Sequence, residues 1–87
     1  MKLKAGFVLR NICDSYVVVA IGDRASKYKG MIKLNETGAF LWQHLQQDCT
    51  REQLLNAMVE EYDVEEAVAG VGIDSFIATL KDADVLE

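Results

Sequence analysis

Residues 5–12, AGFVLRNI, and 16–21, YVVVAI, are rich in β-branched and aromatic side chains. The sequence predicts a strand from each, and CDS at 13–15 is a turn signal between them. In the second run apolar positions do not alternate with polar ones, which predicts that both of its faces are at least partly covered. A polar stretch, GDRASKYKG at 22–30, reads as a loop. MIKL at 31–34 predicts a short third strand, with Ile32 and Leu34 on one face and Met31 and Lys33 on the other.

The apolar period then changes. Asn35 is a good helix cap, Glu36 suits the first turn, and Phe40, Leu41, Trp42 and Leu45 form one broad apolar face. Gly38 falls in that first turn, where close approach of a neighbouring element is the expected reason for a glycine. TREQ at 50–53 fits a capping box, and Leu54, Leu55, Met58, Val59 and Tyr62 follow at helical spacing. DVEE at 63–66 offers Asp63 as the cap of a third helix, whose stripe is Ile73, Phe76, Ile77 and Leu80. Gly70 and Gly72 each weaken its first half by about 1 kcal/mol, so that half either frays or packs closely. Asp84 is placed to end the helix, and Val85 and Leu86 to fold back on the core.

Three strands before three helices predict an α+β fold, with a small antiparallel sheet on a helical cluster in a winged helix-turn-helix layout. With 87 residues, the prior is a single domain over 1–87. Hydrophobic residues make up 51% and proline is absent, which excludes disorder and favours regular elements with tight connections. No apolar stretch approaches the roughly 20 residues that span a bilayer. MKLKAGFVLR lacks a signal-peptide pattern, so the expected location is cytoplasmic.

Charge is unevenly spread. Residues 1–34 carry seven bases against two acids, a balance of +5, and residues 35–87 carry two bases against twelve acids, a balance of −10. Such asymmetry bears on partners rather than on fold.

Catalytic chemistry finds no footing. His44 is a lone histidine without a partner carboxylate or nucleophile that the sequence identifies, and reads as a surface or half-buried residue. Glu60–Glu61 and Glu65–Glu66 read as a solvated face. Cys13, Cys49 and His44 lack a CxxC-like pair and a fourth ligand, so no metal site is expected. The G-V-G at 70–72 is no phosphate loop. The expectation is a protein that is not an enzyme and carries no cofactor.

A winged helix-turn-helix layout raises a nucleic-acid-binding regulator as the alternative. Duplex binding relies on lysine and arginine. The last helical segment, 64–84, carries five acids and only Lys81 as a base, so nucleic acid is disfavoured.

An open three-stranded sheet has edges. MIKL is a short candidate edge strand whose Lys33 either simply prevents aggregation or borders a groove that takes an added peptide strand. Four added hydrogen bonds contribute about 2–6 kcal/mol net, whereas micromolar binding needs roughly 8 kcal/mol. Side-chain pockets must supply the rest, at about 1.5–3 kcal/mol per buried apolar residue. The third helix offers a stripe of Gly70, Asp74, Ile77, Ala78 and Lys81 beside its core stripe for that purpose.

The stretch GMIKLNETGAFLWQHL at 30–45 resembles the central signature of the PqqD family, a G-M-[IV]-x-L-N corner from strand to helix. EEYDV at 60–64 and FIATLKDADVL at 76–86 continue the resemblance, with Asp84 where the family usually has glycine. The resemblance implies a recognition element for ribosomally synthesised, post-translationally modified peptides (RiPPs). Such a protein is a peptide chaperone that binds a precursor's leader segment by strand addition. It presents the precursor to a modifying enzyme, often of the radical S-adenosylmethionine (radical SAM) type. Carried onto this chain, the implied peptide-binding residues are Met31, Ile32, Lys33 and Leu34, with Asp74, Ile77, Ala78 and Lys81 on the third helix; the basic Lys29 beside the strand is added from the charge pattern. The match does not select the coenzyme PQQ pathway over another peptide pathway. A strand edge can also pair with its own copy, which leaves monomer and homodimer both open.

Overall fold

The computed structural model describes residues 1–23, 25 and 31–87. Strand β1 (Phe7–Ile12) pairs antiparallel with β2 (Ser15–Ala20), and β2 pairs antiparallel with β3 (Ile32–Leu34), giving the sheet order β1-β2-β3. Helices α1 (Glu36–His44), α2 (Arg51–Tyr62) and α3 (Glu66–Asp82) follow. The α+β order expected from the sequence is the order of the fold. Most of the predicted loop at 22–30 lies outside the described residues.

The β1–β2 hairpin closes on Cys13 and Asp14, both with positive φ (51° and 63°), between the paired residues Ile12 and Ser15. Two positive-φ residues make the type I′ geometry whose twist matches the flanking strands. Val17 and Val18 point to opposite faces of β2 yet are only 4% and 0% exposed. The unalternating apolar run thus has cover on both sides. Gly6 precedes β1 at φ 94°, a conformation that favours glycine, and its carbonyl accepts from the Ile21 N–H at 2.8 Å.

The corner from β3 into α1 is built by Asn35. Its side-chain oxygen accepts from the Gly38 N–H at 2.8 Å and from the Thr37 hydroxyl at 3.0 Å. A Cβ on Gly38 would lie 3.1 Å from that same oxygen and 3.2 Å from the Leu34 Cβ. The close approach predicted for this glycine is therefore made by β3 itself. One face of α1 buries Leu41, Trp42 and Leu45, while Phe40 is half-buried, edge-on to Tyr62 with ring centres 5.3 Å apart. His44 is exposed and stacks edge-on with Phe40.

The capping box of α2 forms as the sequence predicts. Thr50 accepts from the Gln53 N–H at 3.1 Å, and the Gln53 side chain accepts from the Thr50 N–H at 2.9 Å. The start of α3 departs from expectation. Asp63 does not cap α3; it ends α2 in the left-handed conformation (φ 50°, ψ 46°), and Glu65 takes the cap position without a side-chain hydrogen bond. Aspartate tolerates left-handed backbone, so the residue that reads as a helix start serves as the preceding helix's stop.

Helix α3 is continuous through both of its glycines and buries Ala69, Gly70, Ile73, Phe76 and Leu80. It stops at Asp84 (φ 58°), where the Asp84 N–H donates to the Lys81 carbonyl and the Val85 N–H to the Leu80 carbonyl, each at 3.1 Å. This pair of bonds is a Schellman motif with aspartate in the usual glycine position. Val85 is fully buried, and Leu86 bridges to Leu3, so the last residues fold back on the core as expected.

Candidate functional site

The position of β3 follows from its length and its corner. Three residues pair with β2, and then Asn35 turns the chain into α1. Among the described residues β3 pairs with no strand on its other side. A cleft of about 230 Å³ opens there, between the β3–α1 corner and α3.

Each wall has a distinct chemistry. From the corner come Lys33, Leu34 and the Asn35–Thr37–Gly38 cap, with Leu41 of α1 beneath. From α3 come Gly72, Ser75, Phe76 and Thr79. Leu41 and Phe76 are buried at 1% and 7% exposed and give the cleft an apolar base. Thr37 and Thr79 use their hydroxyl protons internally, Thr79 donating to the Ser75 carbonyl at 3.0 Å. Among the described lining residues Lys33 is the only charged side chain, and it places a positive charge at the cleft on a chain with net charge −5. A second hollow, at the strand's other flank, shares Lys33 and Leu34 and reaches Tyr16 and the hairpin turn at Asp14.

The residues singled out from the sequence divide into groups. Lys33 and Leu34 line the cleft. Ile32 is buried opposite Val18, with its side chain in the core, and Met31 is 63% exposed at the head of the strand. Lys29 lies outside the described residues. On α3, none of Asp74, Ile77, Ala78 and Lys81 lines the cleft. Asp74 turns instead toward α2, where Arg51 donates to its two carboxylate oxygens at 2.7 and 3.1 Å. The Arg51 hydrogen bond holds the Asp74 carboxyl below its ordinary range, and the same bond raises Arg51. Ile77 packs half-buried against the core, and Ala78 and Lys81 are exposed.

The α3 residues that do reach the cleft lie on the opposite flank of the buried stripe. Gly72, Ser75 and Thr79 recur at helical spacing, and Val68, 61% exposed, stands one turn before Gly72 on the same ridge. A signal for this flank was available. It carries small uncharged residues at 72, 75 and 79, whereas the other carries Asp74 and Lys81.

Comparison with known proteins bears on this geometry. The family description for coenzyme PQQ synthesis protein D (PqqD) matches residues 15–86. The chain belongs to the PqqD family. Its PqqD region spans β2 through the C-terminal bridge and so includes every described residue that lines the cleft. Two solved structures share the fold of this PqqD-family chain. One is TbiB1 in complex with the TbiA(beta) leader peptide, with TM-score 0.78 and 22% identity over 100% of this chain and 95% of that one. The other is lasso peptide synthetase B1 complexed with the leader peptide, with TM-score 0.71 and 20% identity over 93% of this chain and 89% of that one. No curated protein matches the chain.

Proposed function

We propose that this PqqD-family chain is a non-catalytic peptide chaperone. It holds the leader segment of a ribosomally synthesised precursor by strand addition at β3 and presents the precursor to a modifying enzyme. The observation that carries the reading is the β3 edge: no strand covers it among the described residues, and it borders a cleft with an apolar base. The two similar folds were solved with leader peptides, which supports the same use here.

A three-residue edge offers only a few backbone hydrogen bonds, worth about 1 kcal/mol each net. The cleft adds an apolar base of Leu41 and Phe76 inside a polar rim, and apolar burial there is what such pairing needs beside its backbone bonds. Chemistry on the precursor belongs to the partner enzyme, for which the family resemblance favours the radical SAM class. Placement in the cytoplasm, beside ribosome and precursor, suits that task, as does the lack of any helix among the described residues long and apolar enough to cross a membrane. The acidic face of α3 weighs against a nucleic-acid partner.

The test is a search beside its gene for a short precursor peptide, followed by titration of isotopically labelled protein with that peptide's leader, read by amide shifts. Shifts should concentrate at residues 33–38 and 72–79. Saturable binding with its shifts elsewhere, or no binding at all, would sink the reading.

A further inference from the structure

Gly70 and Gly72 are both interior to α3, although glycine is among the poorest helix formers. Gly70 has a packing reason: a Cβ there would lie 3.1 Å from the Arg51 guanidinium. Gly72 has none. A Cβ at Gly72 meets no atom within 4 Å, and its backbone is not left-handed. Neither sterics nor conformation asks for glycine at this position, yet it lies in the wall of the cleft.

We propose that Gly72 is the specificity-determining residue of the cleft: its missing side chain leaves room for one large apolar side chain of the guest peptide. The proposal rests on the peptide-binding reading above and adds which feature of the peptide is read. The surroundings suit such a group. Leu41 and Phe76 form an apolar base and half-buried Leu34 lies across from α3, while Ser75 and Thr79 supply a small polar rim and exposed Val68 stands one turn beyond the lining. Among the described lining residues Lys33 is the only charge, and it sits on the strand rather than on the helix wall. A guest residue of leucine or phenylalanine size displaces water from apolar surface here. A side chain at position 72 would occupy the same volume.

The experiment pans a displayed library of random decapeptides against the wild-type protein, Gly72→Ala and Gly72→Leu. Peptides enriched on the wild type are then synthesised and titrated by calorimetry. The wild type should enrich one register position in large apolar residues, and Gly72→Leu should lose that preference. For a peptide carrying the large residue, Gly72→Leu should weaken binding about tenfold. For the same peptide shaved to alanine there, the two proteins should bind within about twofold. Thermal melts guard against misfolding, since Gly72→Ala should melt about 4–8 °C higher than wild type because it improves the helix. If the wild type enriches no peptide, the peptide-binding reading falls and this proposal with it. If the wild type enriches peptides and Gly72→Leu binds them equally, only the role of Gly72 is overturned.

Discussion

Asp84 occupies a left-handed position at the end of α3, and two backbone hydrogen bonds depend on its φ of 58°. Left-handed backbone costs an ordinary L-residue about 1–2 kcal/mol, and aspartate less. Asp84 also meets Lys4 at 2.8 Å, but its side chain is 85% exposed, and such ion pairs contribute little. Conformation therefore outweighs charge here. Urea unfolding should show Asp84→Val destabilised by about 1–2 kcal/mol, with Asp84→Gly as stable as wild type or more so. If Asp84→Gly were less stable than wild type, the ion pair would matter more than the backbone. Gly38 makes the opposite argument. It sits in a helix, yet alanine there should not help, because the added Cβ would press on the Leu34 Cβ at 3.2 Å. Gly38→Ala should cost about 1–3 kcal/mol and shift the β3–α1 corner, readable as amide shifts at 33–35. A gain in stability would mean that the corner relaxes without strain.

Side-chain caps start α1 and α2, and among the described residues one ion pair links α2 to α3. Arg51 on α2 bonds Asp74 on α3, and the carboxyl is thereby held below its ordinary range. A depressed carboxylate contributes stability above its unfolded pKa and loses it as pH falls through the folded value. Both side chains are largely exposed, so the contribution is small. Wild type should melt above Asp74→Asn at neutral pH. That gap should begin to narrow near pH 4, around the unfolded carboxylate value of about 3.9, and close in stronger acid. A gap unchanged into strong acid would show that the pair does not set it. Burial of Ala69, Ile73, Phe76 and Leu80 sets how α3 sits, with the flank of Gly70 and Asp74 beside Arg51 of α2 and Gly72, Ser75 and Thr79 in the cleft wall.

Over the whole molecule, charge and architecture act together. The first 34 residues carry +5 and the remainder −10, yet among its described lining residues the cleft presents only Lys33 as a charge. Lys33→Glu should lower affinity for an acidic peptide, more at low salt than at high, and spare a neutral one. Equal affinity for the acidic peptide at every ionic strength would remove Lys33 from recognition. Much of this molecule was legible in its residues. The β-branched runs, the Asn35 corner, the capping box at Thr50 and the apolar stripes specified three strands and then three helices, because each depends on neighbours in sequence. Asp63 was ambiguous, since aspartate serves equally as a helix cap and as a left-handed stop. The candidate cleft was half legible. Lys33 and Leu34 follow from the strand, but the α3 flank does not. The period of α3 marks which stripe is buried; it is silent on which of the two flanks beside that stripe meets the sheet edge. The packing of α3 against α2 in the common core decides that, and it brings together residues as distant in the chain as Arg51 and Asp74, 23 positions apart. Local sequence determined the elements; only their packing selected the face that β3 looks onto, because a helix is bordered on both sides and its own periodicity cannot name the neighbour.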